Sequence, residues 1–122
     1  MIEMVKIYRA SDAEARFRAG YSAQYVADMS LQGAIDNAGF IIVKIPPEQK
    51  TTPHAHDTLE EVFVIMAPTK MGVNEMLYDL DVGDVVLVEP QERHWFETPN
   101  GDDVVIVAIK MPNLKDDKIE NG

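Results

Sequence analysis

Pro53-His54-Ala55-His56-Asp57-Thr58-Leu59-Glu60-Glu61-Val62-Phe63-Val64 decides how the rest of the chain is read. Two histidines separated by one residue share a face only on an extended backbone, because strand side chains alternate whereas helical residues two apart diverge. Held side by side, two imidazoles offer adjacent coordination positions to a metal ion. On a continuous strand Glu60 has the parity of His54 and His56, and its carboxylate would balance part of a divalent charge. Glu61 has the opposite parity. It and Asp57 stay open as carboxylate donors if the residues between His56 and Glu60 are not fully extended.

Taken alone, such a pair is most often two solvated histidines. The chain has only three histidines, however, and the third, His94, follows Gly83-Asp84 and the apolar run Val85 to Val88, which ends at Glu89-Pro90. A fold that brings these two strands together assembles three imidazoles and one carboxylate.

Residues 54 to 60 read HxHxxxE and continue as an apolar strand, and Gly83 stands eleven residues before His94. Both features resemble the paired motifs of the cupin family, over roughly residues 40 to 110. The resemblance implies an all-β fold, a double-stranded β-helix or jelly-roll barrel. It also implies His54, His56, Glu60 and His94 as ligands of one divalent transition metal ion: iron, manganese, nickel, cobalt, copper or zinc. The chain departs from the family pattern at turns. Glu48-Gln49 and Ala67-Pro68 replace the glycines that flank the first motif. In the second, Pro90 falls one residue late, Gln91 replaces a glycine and Thr98 an asparagine. Glycine permits positive φ and proline fixes it negative, so these changes bear on loop shape rather than on the ligand set.

A length of 122 residues suits one domain, residues 1–122, with its motif-bearing core at about 40–110 and a polar tail at about 112–122. With 21 acidic and 11 basic side chains the formal net charge is −10, which opposes binding to a nucleic-acid backbone or an anionic membrane. A small molecule is the expected partner. The absence of cysteine excludes disulfides, thiolate ligands and a cysteine nucleophile. Charged residues at Glu3, Lys6 and Arg9 interrupt any signal-peptide core, and the longest apolar runs fall well short of the ~20 residues of a membrane helix. A soluble cytoplasmic protein is expected.

Along the chain, Met4 to Tyr8 alternates as a strand. Ser11 to Glu14 has the spacing of a capping box, which predicts a short helix anchored by Phe17 and ended by Gly20. Strands are expected at Tyr21 to Leu31, Phe40 to Ile45, Val62 to Met66, Lys70 to Val73, Met76 to Leu80, Val85 to Val88, His94 to Phe96 and Val104 to Lys110. Gln32 to Gly39 reads as a loop, and Asn74-Glu75 and Asp81 to Asp84 as turns. Asn100-Gly101 carries the signal of a tight hairpin. Pro112 stops the last strand, and the tail is expected to fray. Many short strands between turns imply a β-sandwich or barrel, independently of the resemblance. Phe63 and Ile65 have the parity opposite to Val62 and Val64, which the motif would turn toward the metal. Val85 to Val88 and Val104 to Ile109 are apolar on both faces. A sheet with one wet face should alternate, so an outer surface is expected to be covered by the N-terminal segment or by a second subunit, as in a homodimer.

Four ligands on a six-coordinate ion leave two positions for small ligands, whereas a structural zinc site would favour cysteine and be closed. An oxygenase needs open positions, an apolar cavity and a means of orienting substrate. An isomerase or lyase also needs a proton carrier near neutral pKa. With every histidine assigned to the metal, that role would fall to Glu60, Glu61, Tyr25, Tyr78 or Lys44, so the reading leans to a dioxygenase acting on a small organic molecule. A module that binds a sugar or acid without converting it is the non-enzymatic reading. Met66 and Phe96 have cavity-facing parity and Trp95 faces away. Lys44 and Arg93 are candidates for a substrate carboxylate, against the ordinary role of surface solvation.

Overall fold

Alternating β-branched and aromatic residues put most of the chain into strands. The computed structural model describes residues 5–19, 21–29, 31 and 35–119. Its strands are β1 (Lys6–Tyr8), β2 (Ala15–Arg18), β3 (Tyr21–Gln24), β4 (Gly39–Ile45), β5 (Ala55–His56), β6 (Glu60–Ile65), β7 (Thr69–Val73), β8 (Met76–Leu80), β9 (Val85–Val88), β10 (His94–Glu97), β11 (Val104–Met111) and β12 (Lys118–Ile119). One sheet has the order β1-β9-β6-β11-β4 and a second the order β10-β7-β8, while β12 pairs with β5 and β2 with β3. No helix among the described residues is long and apolar enough to cross a membrane.

Register sorts the larger sheet into two faces. Ile41, Ala108, Phe63, Val86 and Ile7 form one row across β4, β11, β6, β9 and β1, and Val43, Ile106 and Ile65 lie in a second row on the same face. This face packs against Met71 and Val73 of β7, Leu80 of β8 and Phe96 of β10. The Phe63 and Phe96 rings meet edge to face at 5.3 Å between the two sheets. Ile65 and Ile106 are fully buried, each contributing on the order of 2 kcal/mol over an exposed position.

Phe63 and Ile65 thus point inward, and Val62 and Val64 outward, the reverse of the expected parity. The cause is local. Bends at Asp57 and Thr58 interrupt the extended backbone between β5 and β6, so the alternation that begins at Glu60 is not in phase with His56.

Three other expectations are corrected. Ser11 does not cap a helix; Ala10–Asp12 makes a single 3-10 turn, Arg9 at its N-cap makes no side-chain capping bond, and Phe17 lies in the β2–β3 hairpin. Gly20, expected as its terminator, lies outside the described residues, as do Met4, residues 32–34 of the expected loop and the last three residues. Asn100-Gly101 does not close a hairpin. β10 pairs with β7, whereas β11, apolar on both faces, is seated between β6 and β4 in the other sheet. Pro112 follows the end of β11 at Met111 as expected, but the tail beyond it does not fray through its described length. β12 pairs with β5, and the Asp117 carboxylate accepts the Thr58 and Leu59 amides at 2.8 and 2.9 Å, which ties the tail to the histidine segment.

Candidate metal centre

The structure brings His54, His56, His94 and Glu61 together, with one donor atom from each lying within 4.8 Å of the others. His54 and His94 face each other through a paired backbone bridge: the His54 amide donates to the His94 carbonyl at 3.1 Å and the His94 amide to the His54 carbonyl at 2.8 Å. Their ring centroids are 4.5 Å apart. His56 stands two residues along the same extended segment, opposite Lys118, and its ring centroid is 5.3 Å from that of His54. Glu61 reaches the group from β6, between Val88 of β9 and Lys110 of β11.

Glu60 is not in this group. It is buried on the opposite face of β6, across from Met111, because the bends at Asp57 and Thr58 shift the parity by one. The carboxylate beside the imidazoles belongs to Glu61, the alternative that an imperfectly extended connection left open.

Glu61 Oε1 lies 3.1 Å from His56 Nε2 and 3.5 Å from His94 Nε2. Burial acts to raise the Glu61 pKa, but the hydrogen bond from His56 and the proximity of His94 outweigh it and lower it to about 2. Burial, reinforced by His94, lowers His54 to about 4. At neutral pH Glu61 is therefore anionic and His54 neutral, the states in which both can donate lone pairs to a cation.

Hydrogen bonding orients two of the rings. His94 Nδ1 is 3.0 Å from the Glu92 carbonyl and His54 Nδ1 is 3.3 Å from the Thr52 carbonyl. Each Nδ1–H donating outward leaves Nε2 with its lone pair on the inner side, the arrangement that outer carbonyls impose on metal-bound histidine. His94 Nε2 is buried without a hydrogen-bond partner among the described residues. A cation would satisfy it. Donors on opposite sides of an ion with bonds of about 2.0–2.2 Å stand roughly 4.2 Å apart, so the 4.8 Å limit of the group calls for only a small side-chain adjustment. The donor set fits one mononuclear ion.

The group lines the floor of a cavity of about 250 Å³ whose walls include Ile41, Val43, Ile45, Phe63 and Phe96. A larger surface groove of about 700 Å³, beside β7 and β8, contains none of the histidines. Phe96 walls the cavity as its parity predicts. Met66 is half exposed instead of cavity-facing, Tyr25 is exposed, Tyr78 packs against the core, and Lys44 and Arg93 lie on the surface. Trp95 borders the cavity with its ring laid on Gly72. Two residues that sequence reasoning missed, Lys110 and Lys118, also line the cavity. Lys118 lies in what reads as a polar tail, and only its pairing with His56 reveals its place.

Compared by sequence, the chain matches no protein-family model and no curated protein. Compared by structure, it is similar to a Klebsiella pneumoniae protein with a double-stranded β-helix domain, at 14% identity and TM-score 0.63, over 71% of this chain and 76% of that one. A cupin protein from Bacteroides fragilis is 17% identical with TM-score 0.59, over 79% of this chain and 93% of its own. A TDP-quinovose 3,4-ketoisomerase from Campylobacter jejuni is 15% identical with TM-score 0.72, over 98% of this chain and 95% of its own. At these identities the likeness establishes the fold. With its two facing antiparallel sheets, the chain has a cupin-type double-stranded β-helix fold.

Proposed function

We propose that His54, His56, Glu61 and His94 hold one divalent transition metal ion, and that the chain is a metal-dependent dioxygenase acting on a small organic molecule. The observation that supports this is the convergence of three imidazoles and one ionised carboxylate at the floor of an apolar cavity. Bound there, a transition ion supplies redox or Lewis-acid chemistry at the positions that four protein ligands leave open. The side chains of the chain bind and orient. Glu61 offsets the metal charge, the Glu92 and Thr52 carbonyls hold two of the rings in register, and Ile41, Val43, Ile45 and Phe96 exclude water from the substrate.

The cavity walls favour oxygen chemistry. All three histidines are in the donor group, Glu61 is held ionised beside them, and Glu60, Tyr25, Tyr78 and Lys44 do not line the cavity, so none of the proton carriers weighed from sequence stands uncommitted there. A dioxygenase needs none. Both atoms of dioxygen enter the product, and the substrate itself supplies the four electrons.

A second reading is isomerase chemistry. The Campylobacter ketoisomerase aligns over 98% of this chain, and the 3.1 Å contact between His56 and Glu61 is also the arrangement of an imidazole–carboxylate proton carrier. Iron-loaded protein incubated with candidate substrates separates the two. Dioxygen consumed in proportion to product supports the dioxygenase, solvent deuterium incorporated without oxygen uptake supports the isomerase, and ligand bound without conversion leaves a binding module.

Assembly as a homodimer belongs to the same proposal. Phe40 and Ile42 of the edge strand β4 are 73% and 70% exposed. They continue, across Ile109 and Val107 of β11, the outer rows formed by Val62 and Val64. Val62 is already buried within the chain and Val64, Val107 and Ile109 are half-buried, so the exposed apolar edge at Phe40 and Ile42 is the part suited to a second copy. Ile42→Lys should convert the dimer to monomer in sedimentation experiments.

A further inference from the structure

The lining of the cavity is unusual for so acidic a chain. Against a formal charge of −10, its walls carry two lysines, Lys110 and Lys118, and one carboxylate, Glu61. Lys110 lies beside Glu61 across β11 and β6, on the inward-facing side of the sheet, and Lys118 lies opposite His56 across β12 and β5. Neither lysine forms an ion pair among the described residues, although Lys6 and Lys70, outside the cavity, both do. Glu61 is itself engaged by His56 and His94 and would be further neutralised by a metal. Two ammonium groups thus border the cavity with no ion-pair partner among the described residues, while Ile41, Val43, Ile45 and Phe96 form its apolar wall.

We infer that the cavity takes a small organic carboxylate, its acid group held by Lys110 and Lys118 and its hydrocarbon body against the apolar wall. This assigns a substrate class to the site proposed above and rests on that reading for its chemistry. The charge pattern that selects the acid belongs to the chain alone. A neutral isostere of the acid forms no charge-assisted hydrogen bond with the half-buried Lys110 or the exposed Lys118 at the cavity's edge, so discrimination is set by that loss. The volume of about 250 Å³ limits the ligand to a small molecule, not a peptide or a nucleotide sugar in full.

The test uses matched acid and amide pairs, from acetate and acetamide to benzoate and benzamide and phenylacetate and phenylacetamide. Binding is measured calorimetrically and by NMR line shifts, to metal-free and zinc-loaded protein. In the metal-free form any preference comes from the chain itself. At least one acid should bind about tenfold or more tightly than its amide, and the preference should shrink as salt is raised. K110M/K118M should abolish the preference, and K110R/K118R should keep most of it. The K110M/K118M protein should still bind zinc stoichiometrically, which shows that the donor group and the fold persist. No preference in any pair, or a preference unchanged in K110M/K118M, overturns the inference. Failure of the wild-type protein to take up zinc while the acid preference persists would instead remove the metal reading and leave this one standing.

Discussion

His54 and His94 are joined by reciprocal backbone hydrogen bonds of 3.1 and 2.8 Å, which place their rings with centroids 4.5 Å apart on one side of the bridge. The site is therefore assembled by strand pairing and not by its side chains alone. The imidazoles can be removed without removing the pairing that positions them.

His94→Ala should lower zinc affinity by at least about 100-fold, exceeding the 10–100-fold typical of losing an outer-shell partner. The backbone bonds to His54 do not involve the ring, so far-UV circular dichroism should be unchanged. Competition against a chromogenic chelator measures the affinity, and undiminished zinc binding would exclude His94 as a ligand.

The two adjacent glutamates separate cleanly. Glu61 Oε1 is 3.1 Å from His56 Nε2, whereas Glu60 faces away from the donor group. Glu61→Gln should weaken zinc binding by roughly tenfold or more, since an anionic donor becomes a neutral one. Glu60→Gln should leave it within about twofold. The same titration decides between them, and a reversed order would restore Glu60 to the ligand set.

Asp84 sets an acid limit on stability. Its buried carboxylate accepts the Asp81 amide at 2.7 Å, the Ala10 amide at 3.0 Å and the Arg9 guanidinium at 2.8 Å. Burial opposes ionisation, but these bonds outweigh it and hold the pKa below the ordinary aspartate value. A depressed carboxylate contributes fully above its unfolded pKa, near 3.9, and its contribution disappears as pH falls through the folded value. Asp84→Asn should cost roughly 2 kcal/mol at pH 7. In urea unfolding the gap to wild type should narrow below about pH 4; a gap independent of pH would show that the charge plays no part.

Gly72 is needed for the seat of Trp95. A Cβ at residue 72 would fall within the indole ring, whose Nε1 donates to Glu97 at 2.8 Å. Gly72→Val should destabilise by about 1–3 kcal/mol and shift the fluorescence of the single tryptophan. An unchanged emission spectrum and midpoint would mean that the ring can be reseated at no cost.

The strand content, the turns at Asn74-Glu75 and Gly83 and the three histidines were legible in sequence, because β propensity, turn chemistry and a rare residue type act locally. His54 and His56 required only an extended backbone to share a face. The choice of Glu61 over Glu60 was not legible: parity carries across a segment only while the backbone stays extended, and the bends at Asp57 and Thr58 break it. The same slip turned Phe63 toward the second sheet and put Val62, also buried, on the opposite face of β6.

By itself the sequence determined an all-β chain with a histidine pair poised for a metal and a composition opposed to polyanions, since alternation and charge are properties of residue order. Tertiary structure alone decided which carboxylate joins the histidines, that Asn100-Gly101 crosses between sheets, and that Lys110 and Lys118 border the cavity. Those outcomes depend on which strands become neighbours, and strand pairing is settled by burying both faces of β11 and by tying β12 to β5, contacts between residues far apart in the chain.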